Sequence, residues 1–127
     1  MSAQSDTGLF RHDPDTQQFA AGEVIFRQGD AGNLMYVVQQ GQVTLAVDGE
    51  VVETVGPDGI FGEMAVIDDL PRSATATAKT DVRVVPIDEK RIVAVFSQNP
   101  FFAIQIMRTL SRRMRRANVE LGTARSA

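Results

Sequence analysis

The chain has 127 residues, 43% of them hydrophobic, and a formal net charge of −3, which fits one globular domain with a core of its own. It contains no cysteine, so disulfides and thiolate metal sites are excluded. The N-terminus lacks the apolar segment of a signal peptide, and no apolar run reaches the roughly 20 residues that span a membrane, so we expect a cytoplasmic protein without a membrane partner.

Charge is divided unevenly along the chain. Residues 1–107 contain seven basic and fifteen acidic residues, whereas residues 108–127 contain six arginines and one glutamate. The acidic part disfavours broad binding to nucleic acids. The arginine-rich end is typical of a solvated helix face, although contact with an acidic partner stays open.

Short strands separated by turns are predicted over residues 19–87, after a polar segment at residues 1–18. Two strands flank Gly41, and Asp48-Gly49 is a typical hairpin loop between the second of them and the next strand. Small and hydroxyl side chains alternate along residues 73–78, which indicates a strand with one buried face. Many short strands joined by glycine turns predict a mainly β protein, an antiparallel jelly-roll barrel.

The sequence pattern becomes helical after residue 87. Asp88 can cap a first helix, and Asn99-Pro100 can end it and start a long second helix that stops near Gly122. The domain is therefore expected over residues 19–127, with the barrel at 19–87 and the helices at 88–121.

The long helix carries apolar residues at heptad spacing. They are Met107, Leu110, Met114, Ala117 and Leu121. Packing on the barrel explains part of this seam. A homodimer through the C-terminal helix explains the distal part equally well.

The segment FGEMAVIDDLPRSA, at residues 61–74, combines a glycine, a carboxylate and an arginine. A helical turn after Gly62 would present free backbone N–H groups to an anion, and Arg72 could add a bidentate guanidinium. Glu63 would repel a phosphate, so it is better suited to accept hydrogen bonds from sugar hydroxyls. Neighbouring residues leave room and supply one more donor: Ala65, Ser73 and Ala74. These residue types predict a pocket for a phosphorylated sugar.

This segment resembles the phosphate-binding cassette of the cyclic nucleotide-binding domain family. The family's cassette reads Phe-Gly-Glu, a small apolar turn, and then Arg followed by Ser, Thr or Ala and another Ala. The matching positions are Phe61, Gly62, Glu63, Met64, Ala65, Arg72, Ser73 and Ala74. An upstream frame of strand and turn residues also matches: Gly22, Ile25, Gly29-Asp30, Gly32, Tyr36, Gly41 and Val43. The similarity covers about residues 19–121.

The resemblance implies an eight-stranded jelly-roll barrel with a short helix inside the cassette and helices after the barrel. In the family the cassette arginine holds the cyclic phosphate and the glutamate takes the ribose 2′-hydroxyl, roles that fall here to Arg72 and Glu63. Further backbone or hydroxyl contacts would come from Gly62, Met64, Ala65 and Ser73. The base is capped in the family from the long helix, sometimes by a partner subunit, and Asn118 lies where such a contact could fall.

The function implied is that of a bacterial-type cyclic nucleotide sensor without a cofactor. The expected ligand is cAMP, with which Ser73 is compatible, and cGMP is the alternative. Occupancy would be relayed through the C-terminal helix to an effector protein. Because no helix-turn-helix follows that helix within 127 residues, we expect a stand-alone module with no DNA partner. The alternative is a partner-binding scaffold with a vestigial nucleotide pocket.

Enzymatic activity is not expected. A jelly-roll metalloenzyme needs two or three converging histidines, and the chain has only His12. Asp68-Asp69 is more typical of a solvated turn than of a carboxylate pair. No nucleophile can be matched with a base, so neither a catalytic residue nor a metal ligand is assigned.

Overall fold

The structure, a computed structural model, describes the backbone of residues 8–126 and the side chains of residues 8–117. Its eight strands are β1 (Gln17–Phe19), β2 (Val24–Phe26), β3 (Met35–Gln40), β4 (Val43–Val47), β5 (Glu50–Val55), β6 (Ile60–Phe61), β7 (Thr75–Ala78) and β8 (Val82–Ile87). The helices are α1 (Glu63–Ile67), α2 (Glu89–Gln98) and α3 (Pro100–Ser126). None of the described helices has the length and apolar character needed to cross a membrane.

The strands form two four-stranded antiparallel sheets, in the orders β1-β8-β3-β6 and β2-β7-β4-β5. The predicted hairpin joins β4 to β5, where Asp48 and Gly49 both have positive φ, at 52° and 84°. Such a two-residue loop matches the twist of the flanking strands. The sheets confirm the predicted jelly-roll class.

Two hydrophobic clusters hold the sheets and helices together. The first lies between the sheets and contains Tyr36 and Val38 of β3, together with Ala76 and Ala78 of β7. The second lies between the first sheet and the helices, where alternate β3 residues such as Val37 pack with helical residues. Strand β3 is therefore buried on both faces, and its side-chain alternation divides it between the two clusters.

The helix boundaries follow local signals. The Asp88 side chain accepts a hydrogen bond of 2.8 Å from the backbone N–H of Arg91, which caps α2 as predicted. Helix α3 begins at Pro100, also as predicted, but continues to Ser126 rather than ending near Gly122. A glycine within a helix costs only about 1 kcal/mol relative to alanine, so Gly122 was too weak a stop signal.

Within the polar segment predicted at residues 1–18, the described residues contribute a strand and a buried aromatic side chain. Strand β1 begins at Gln17, before the predicted barrel start at Phe19. Phe10 is buried, and its ring lies edge-on to Phe102 with 5.2 Å between the ring centroids. One aromatic residue in a polar segment produces no periodicity, so the sequence pattern did not reveal this contact.

Gly41 is expected to tolerate alanine less well than Gly49. Both have positive φ, at 89° and 84°, so alanine costs about 1 to 2 kcal/mol at either position. A Cβ on Gly41 would also lie 2.2 Å from the backbone oxygen of Asp81, whereas one on Gly49 has no neighbour within 4 Å. Urea unfolding of Gly41→Ala should show at least about 1 kcal/mol of additional loss. Equal losses in the two variants would contradict the crowding at Gly41.

Candidate functional site

The cassette begins with a tight turn at Gly62. Its φ of 78° lies in the left-handed region, which glycine adopts without strain. A Cβ at this position would lie 2.7 Å from Nη1 of Arg72 and 3.3 Å from the carbonyl oxygen of Leu34. Gly62 therefore turns the chain into α1 and also leaves room for the guanidinium of Arg72.

The guanidinium of Arg72 is buried. Its Nη1 is hydrogen-bonded, whereas its Nε–Nη2 edge has no hydrogen-bond partner among the described residues. The residue is only 6% exposed. Its Nη1 donates to the carbonyl oxygens of Leu34 and Gly62, at 2.8 and 3.0 Å. Nε is buried without a hydrogen-bond partner in the part of the chain whose side chains are described, and Nη2 likewise makes no hydrogen bond there. The Nε–Nη2 edge is the fork with which arginine binds an oxyanion in a bidentate manner.

Aromatic side chains form the floor beneath this guanidinium. Cζ of Arg72 lies 4.0 Å from the centroid of the Phe26 ring and 5.9 Å from that of Tyr36. Tyr36 in turn stacks on Phe61, with 5.1 Å between centroids. Burial lowers the pKa of Arg72, and the charges of Tyr36, Asp30 and Glu63 offset part of that effect. The floor holds the cation by cation–π attraction but supplies no negative charge in contact with it.

Gly32 supports the same arrangement from the loop after β2. A Cβ on Gly32 would lie 2.5 Å from Nε and 2.6 Å from Nη2 of Arg72. Cζ would be only 2.6 Å away as well, so the Gly32 backbone lies over the face of the guanidinium, and any larger side chain at that position would displace Arg72.

Glu63, the first residue of α1, is paired with an arginine of the long helix. Glu63 is 2% exposed, and its Oε1 accepts a 2.6 Å hydrogen bond from Nη1 of Arg113. Nε and Nη2 of Arg113 donate to the two carboxylate oxygens of Glu53 on β5, at 2.8 and 3.2 Å. Nη2 also donates to the carbonyl oxygen of Ile60 at 2.8 Å. Arg113 thus links α3 to both β5 and the cassette.

Glu53 lies at the centre of a cluster of arginines from α3. Besides Arg113, Arg112 and Arg116 approach its carboxylate at 3.5 and 3.3 Å. Burial raises the pKa of Glu53, but the hydrogen bond from Arg113 and the charges of the three arginines together lower it. Burial lowers the pKa of Arg113, whereas its bonds to Glu53 and Glu63 raise it overall. Glu53 therefore stays ionised at neutral pH and holds α3 against β5.

Glu63 and Arg72 both line a cavity of about 600 Å³ between the cassette, strands β4 and β5, and helix α3. The cassette side contributes Gly62, Glu63, Met64, Ala65, Arg72, Ser73 and Ala74. The opposite walls are mainly apolar and include Leu45, Val47, Val52, Leu110, Met114 and Ala117. Helix α3 also contributes Arg113 and Arg116, so the cavity combines charged side chains of the cassette and α3 with apolar surface from β4, β5 and α3.

One of the predicted site residues, Phe61, stands apart from this cavity. Phe61 is fully buried in the cluster between the sheets, where it packs under Tyr36 and Phe26. Its part is to support the floor under Arg72 rather than to line the cavity. The side chain of Asn118 lies outside the described residues, so its predicted base contact stays a prediction.

The sequence interpretation missed Arg113. Its run of arginines was interpreted as a solvated helix face. Leu110 is packed against the helix–sheet cluster, and Arg113 follows it three residues later on the same side of α3. That spacing was the available signal. Met107 and Met114 of the predicted heptad seam are exposed, at 59% and 64%.

Comparison with known proteins gives a consistent result. A family model described as the cyclic nucleotide-binding domain matches residues 16–99. The CRP-like cAMP-activated global transcriptional regulator of Mycobacterium tuberculosis is 33% identical over 108 residues, which cover 81% of this chain and 48% of that protein. The chain therefore spans about half the length of the curated relatives it matches.

Solved structures show the same likeness. The catabolite activator protein of Thermus thermophilus aligns with a TM-score of 0.75 at 30% identity, over 94% of this chain and 58% of that chain. A structure from work on a cyclic-GMP-dependent signalling pathway in bacterial phytopathogenesis aligns with a TM-score of 0.72 at 26% identity, over 91% of this chain and 95% of that one.

One partner prediction is wrong. A stand-alone module with no DNA partner was expected because no helix-turn-helix follows the long helix. The relative from Mycobacterium tuberculosis is a transcriptional regulator, and this chain matches only about half of it. A DNA-binding motif in the unmatched half of that relative would have no counterpart in the part that this chain matches. The end of the chain therefore carries no information about DNA binding.

The charge cluster around Glu53 predicts a pH-dependent contribution to stability. Because the pKa of Glu53 is lowered in the folded state, this contribution is present above the ordinary glutamate pKa of 4.5 and is lost as pH falls toward the folded value. At pH 7, Glu53→Gln should lower the unfolding free energy by about 2 kcal/mol. The difference from wild type should shrink at pH 4 and below.

Urea unfolding at a series of pH values measures both quantities. Glu50→Gln is the matched control, since Glu50 lies on the same strand and is exposed. A loss in Glu53→Gln that stayed constant between pH 7 and pH 3 would contradict the role of its charge.

Proposed function

We propose that this chain, which belongs to the cyclic nucleotide-binding domain family, binds cAMP in the cavity between the cassette and α3. Arg72 supports this most directly. It is a buried cation whose Nε–Nη2 edge has no partner among the described side chains. Burying such a group without hydrogen bonds is costly, so the site is suited to an anionic ligand that completes it. A cyclic phosphate, with one negative charge, matches one arginine.

The remaining parts of a nucleotide fit the two other regions of the cavity. Glu63 has its Oε1 bonded to Arg113, which leaves Oε2 as an acceptor for a ribose hydroxyl. The base would lie between β5 and α3, where Val52, Met114 and Ala117 offer apolar surface. We assign the phosphate to Arg72, the ribose to Glu63 and further contacts to the cassette residues Gly62, Met64, Ala65, Ser73 and Ala74.

The choice of cAMP over cGMP rests on two supports. Ser73 follows the cassette arginine and is compatible with cAMP. The Mycobacterium tuberculosis relative is a cAMP-activated regulator, whereas the structure at 26% identity concerns cyclic-GMP-dependent signalling. We therefore propose cAMP as the ligand and cGMP as the competitor to be tested. The chain acts as a binding module in this proposal, not as an enzyme.

Ligand occupancy would be relayed through α3. The helix contributes Arg113 and Met114 to the cavity and is held on the barrel by the cluster around Glu53. A ligand that contacts both the cassette and α3 shifts the helix only if it binds one helix position more tightly than another. The long helix is therefore the element through which a partner would sense the ligand.

Replacing Arg72 should abolish most of the affinity for cAMP. In isothermal titration, Arg72→Ala should weaken binding by about tenfold to a hundredfold, since a charge-assisted hydrogen bond contributes about 1.5 to 3 kcal/mol. Arg83→Ala is the matched control, because Arg83 lies on β8 and does not line this cavity. Unchanged binding by Arg72→Ala would contradict the assigned pocket. Wild-type protein that binds neither cAMP nor cGMP would favour the scaffold with a vestigial pocket.

A second variant tests the position of Arg72 without removing its charge. Gly32→Ala would place a Cβ 2.5 Å from Nε of Arg72, so it should weaken cAMP binding. Gly56→Ala is its control, because a Cβ at Gly56 has no neighbour within 4 Å. Equal affinities in the two variants would indicate that the position of the Arg72 guanidinium does not determine binding.

The relay predicts that cAMP changes the exchange of backbone amides in α3. Hydrogen exchange followed by mass spectrometry should show a ligand-dependent change over residues 100–117, and little change in β1, which lies away from the cavity. Protection that changes only within the cassette would contradict a relay through α3.

A further inference from the structure

We propose that Glu53 is a positioning residue for the ribose, acting through Arg113 on Glu63. Glu53 does not line the cavity. It lies on strand β5, outside the cassette. This assignment rests on the proposed function, because it explains how the sugar-binding carboxylate is kept available. Glu53 orients Arg113. Arg113 in turn holds one oxygen of Glu63 and keeps Glu63 apart from Arg72.

Glu53 sets the orientation of the Arg113 guanidinium. Its two carboxylate oxygens accept from Nε and Nη2 of Arg113, at 2.8 and 3.2 Å, which is a bidentate pair. The carbonyl oxygen of Ile60 takes a second bond from Nη2 at 2.8 Å. With that edge engaged, Nη1 is the remaining terminal nitrogen of Arg113, and it points to Glu63.

Arg113 in turn holds one oxygen of Glu63 and leaves the other open. Nη1 donates to Oε1 at 2.6 Å, and Oε2 makes no hydrogen bond with the side chains described. Glu63 is 2% exposed, so without Arg113 its negative charge would be buried and unpaired. A ribose hydroxyl can therefore donate to a carboxylate that is already oriented by Arg113.

The same contact keeps the two ligand-binding charges apart. Glu63 and Arg72 line one cavity and influence each other electrostatically, yet they form no ion pair within 4 Å in the described part of the chain. A Glu63 released by Arg113 would have Arg72 and Arg116 as the other cations that line the cavity. Pairing of Glu63 with Arg72 would occupy both the acceptor for the sugar and the donors for the phosphate.

The neighbouring arginines of α3 favour this arrangement. Arg112 and Arg116 approach Glu53 at 3.5 and 3.3 Å, and Nη1 of Arg116 also donates to the carbonyl oxygen of Val52 at 3.1 Å. Arg112 precedes Arg113 on α3 and Arg116 follows it. Their contacts add to those with which Arg113 fixes the Glu53 carboxylate. Glu53 therefore links the position of α3 on β5 to the orientation of Glu63, the proposed sugar-binding residue.

A thermodynamic cycle between Glu53 and the ribose 2′-hydroxyl tests this role. Isothermal titration would measure the affinity of wild type and Glu53→Gln for cAMP and for 2′-deoxy-cAMP, which lacks the hydroxyl. We expect Glu53→Gln to weaken cAMP binding by about tenfold while changing the affinity for 2′-deoxy-cAMP by less than about twofold. Glu50→Gln, at an exposed position of the same strand, should leave both affinities unchanged.

The outcomes separate the positioning role from its alternatives. An equal loss for both nucleotides, or no loss for either, overturns the positioning role while the proposed function stands. A wild type that binds neither nucleotide overturns the proposed function and the positioning role with it. Thermal unfolding checks that Glu53→Gln is folded. If it is not, Glu53→Asp replaces it, and the affinity that it loses should again be confined to the ligand with the hydroxyl.

Discussion

The site depends on a buried arginine that the barrel encloses without a carboxylate in contact with it. Arg72 is fixed on one side by two backbone carbonyls and below by Phe26, while its Nε–Nη2 edge is left open. An enclosed cation of this kind is stabilised by its carbonyl and aromatic contacts, and it gains most from an oxyanion. Glycine at positions 32 and 62 leaves room for the guanidinium, because a Cβ would lie 2.5 Å from Arg72 at Gly32 and 2.7 Å from it at Gly62.

The second constraint is the separation of charges inside one cavity. A carboxylate and an arginine are both needed for a sugar phosphate, and left to themselves they would pair. The long helix prevents this by bringing Arg113 to Glu63, and Glu53 holds Arg113 in place. Helix α3 therefore lines the candidate site as well as leading away from it. This arrangement ties the helix to the cassette through ion pairs as well as through packing.

The sequence predicted those features that depend on local chemistry. The Asp48-Gly49 hairpin and the Asp88 cap follow from residues whose backbone or side chain allows only a few conformations. Residue chemistry predicted an anion at Arg72 and sugar hydroxyls at Glu63, and the family motif narrowed the phosphorylated sugar to a cyclic nucleotide. Arg113 was missed because its role depends on where α3 crosses β5, which is a property of the tertiary fold. The absence of a DNA partner was inferred from the chain end, and the length of the relatives overturned it.

A crystal structure of the protein grown with cAMP tests the central claim most directly, because it shows which atoms meet the open edge of Arg72. We predict phosphate oxygens about 3 Å from Nε and Nη2 of Arg72, with the ribose hydroxyl on the free oxygen of Glu63. A nucleotide bound elsewhere, or an Arg72 whose Nε–Nη2 edge is bonded to a protein carboxylate while cAMP is present, would contradict the account.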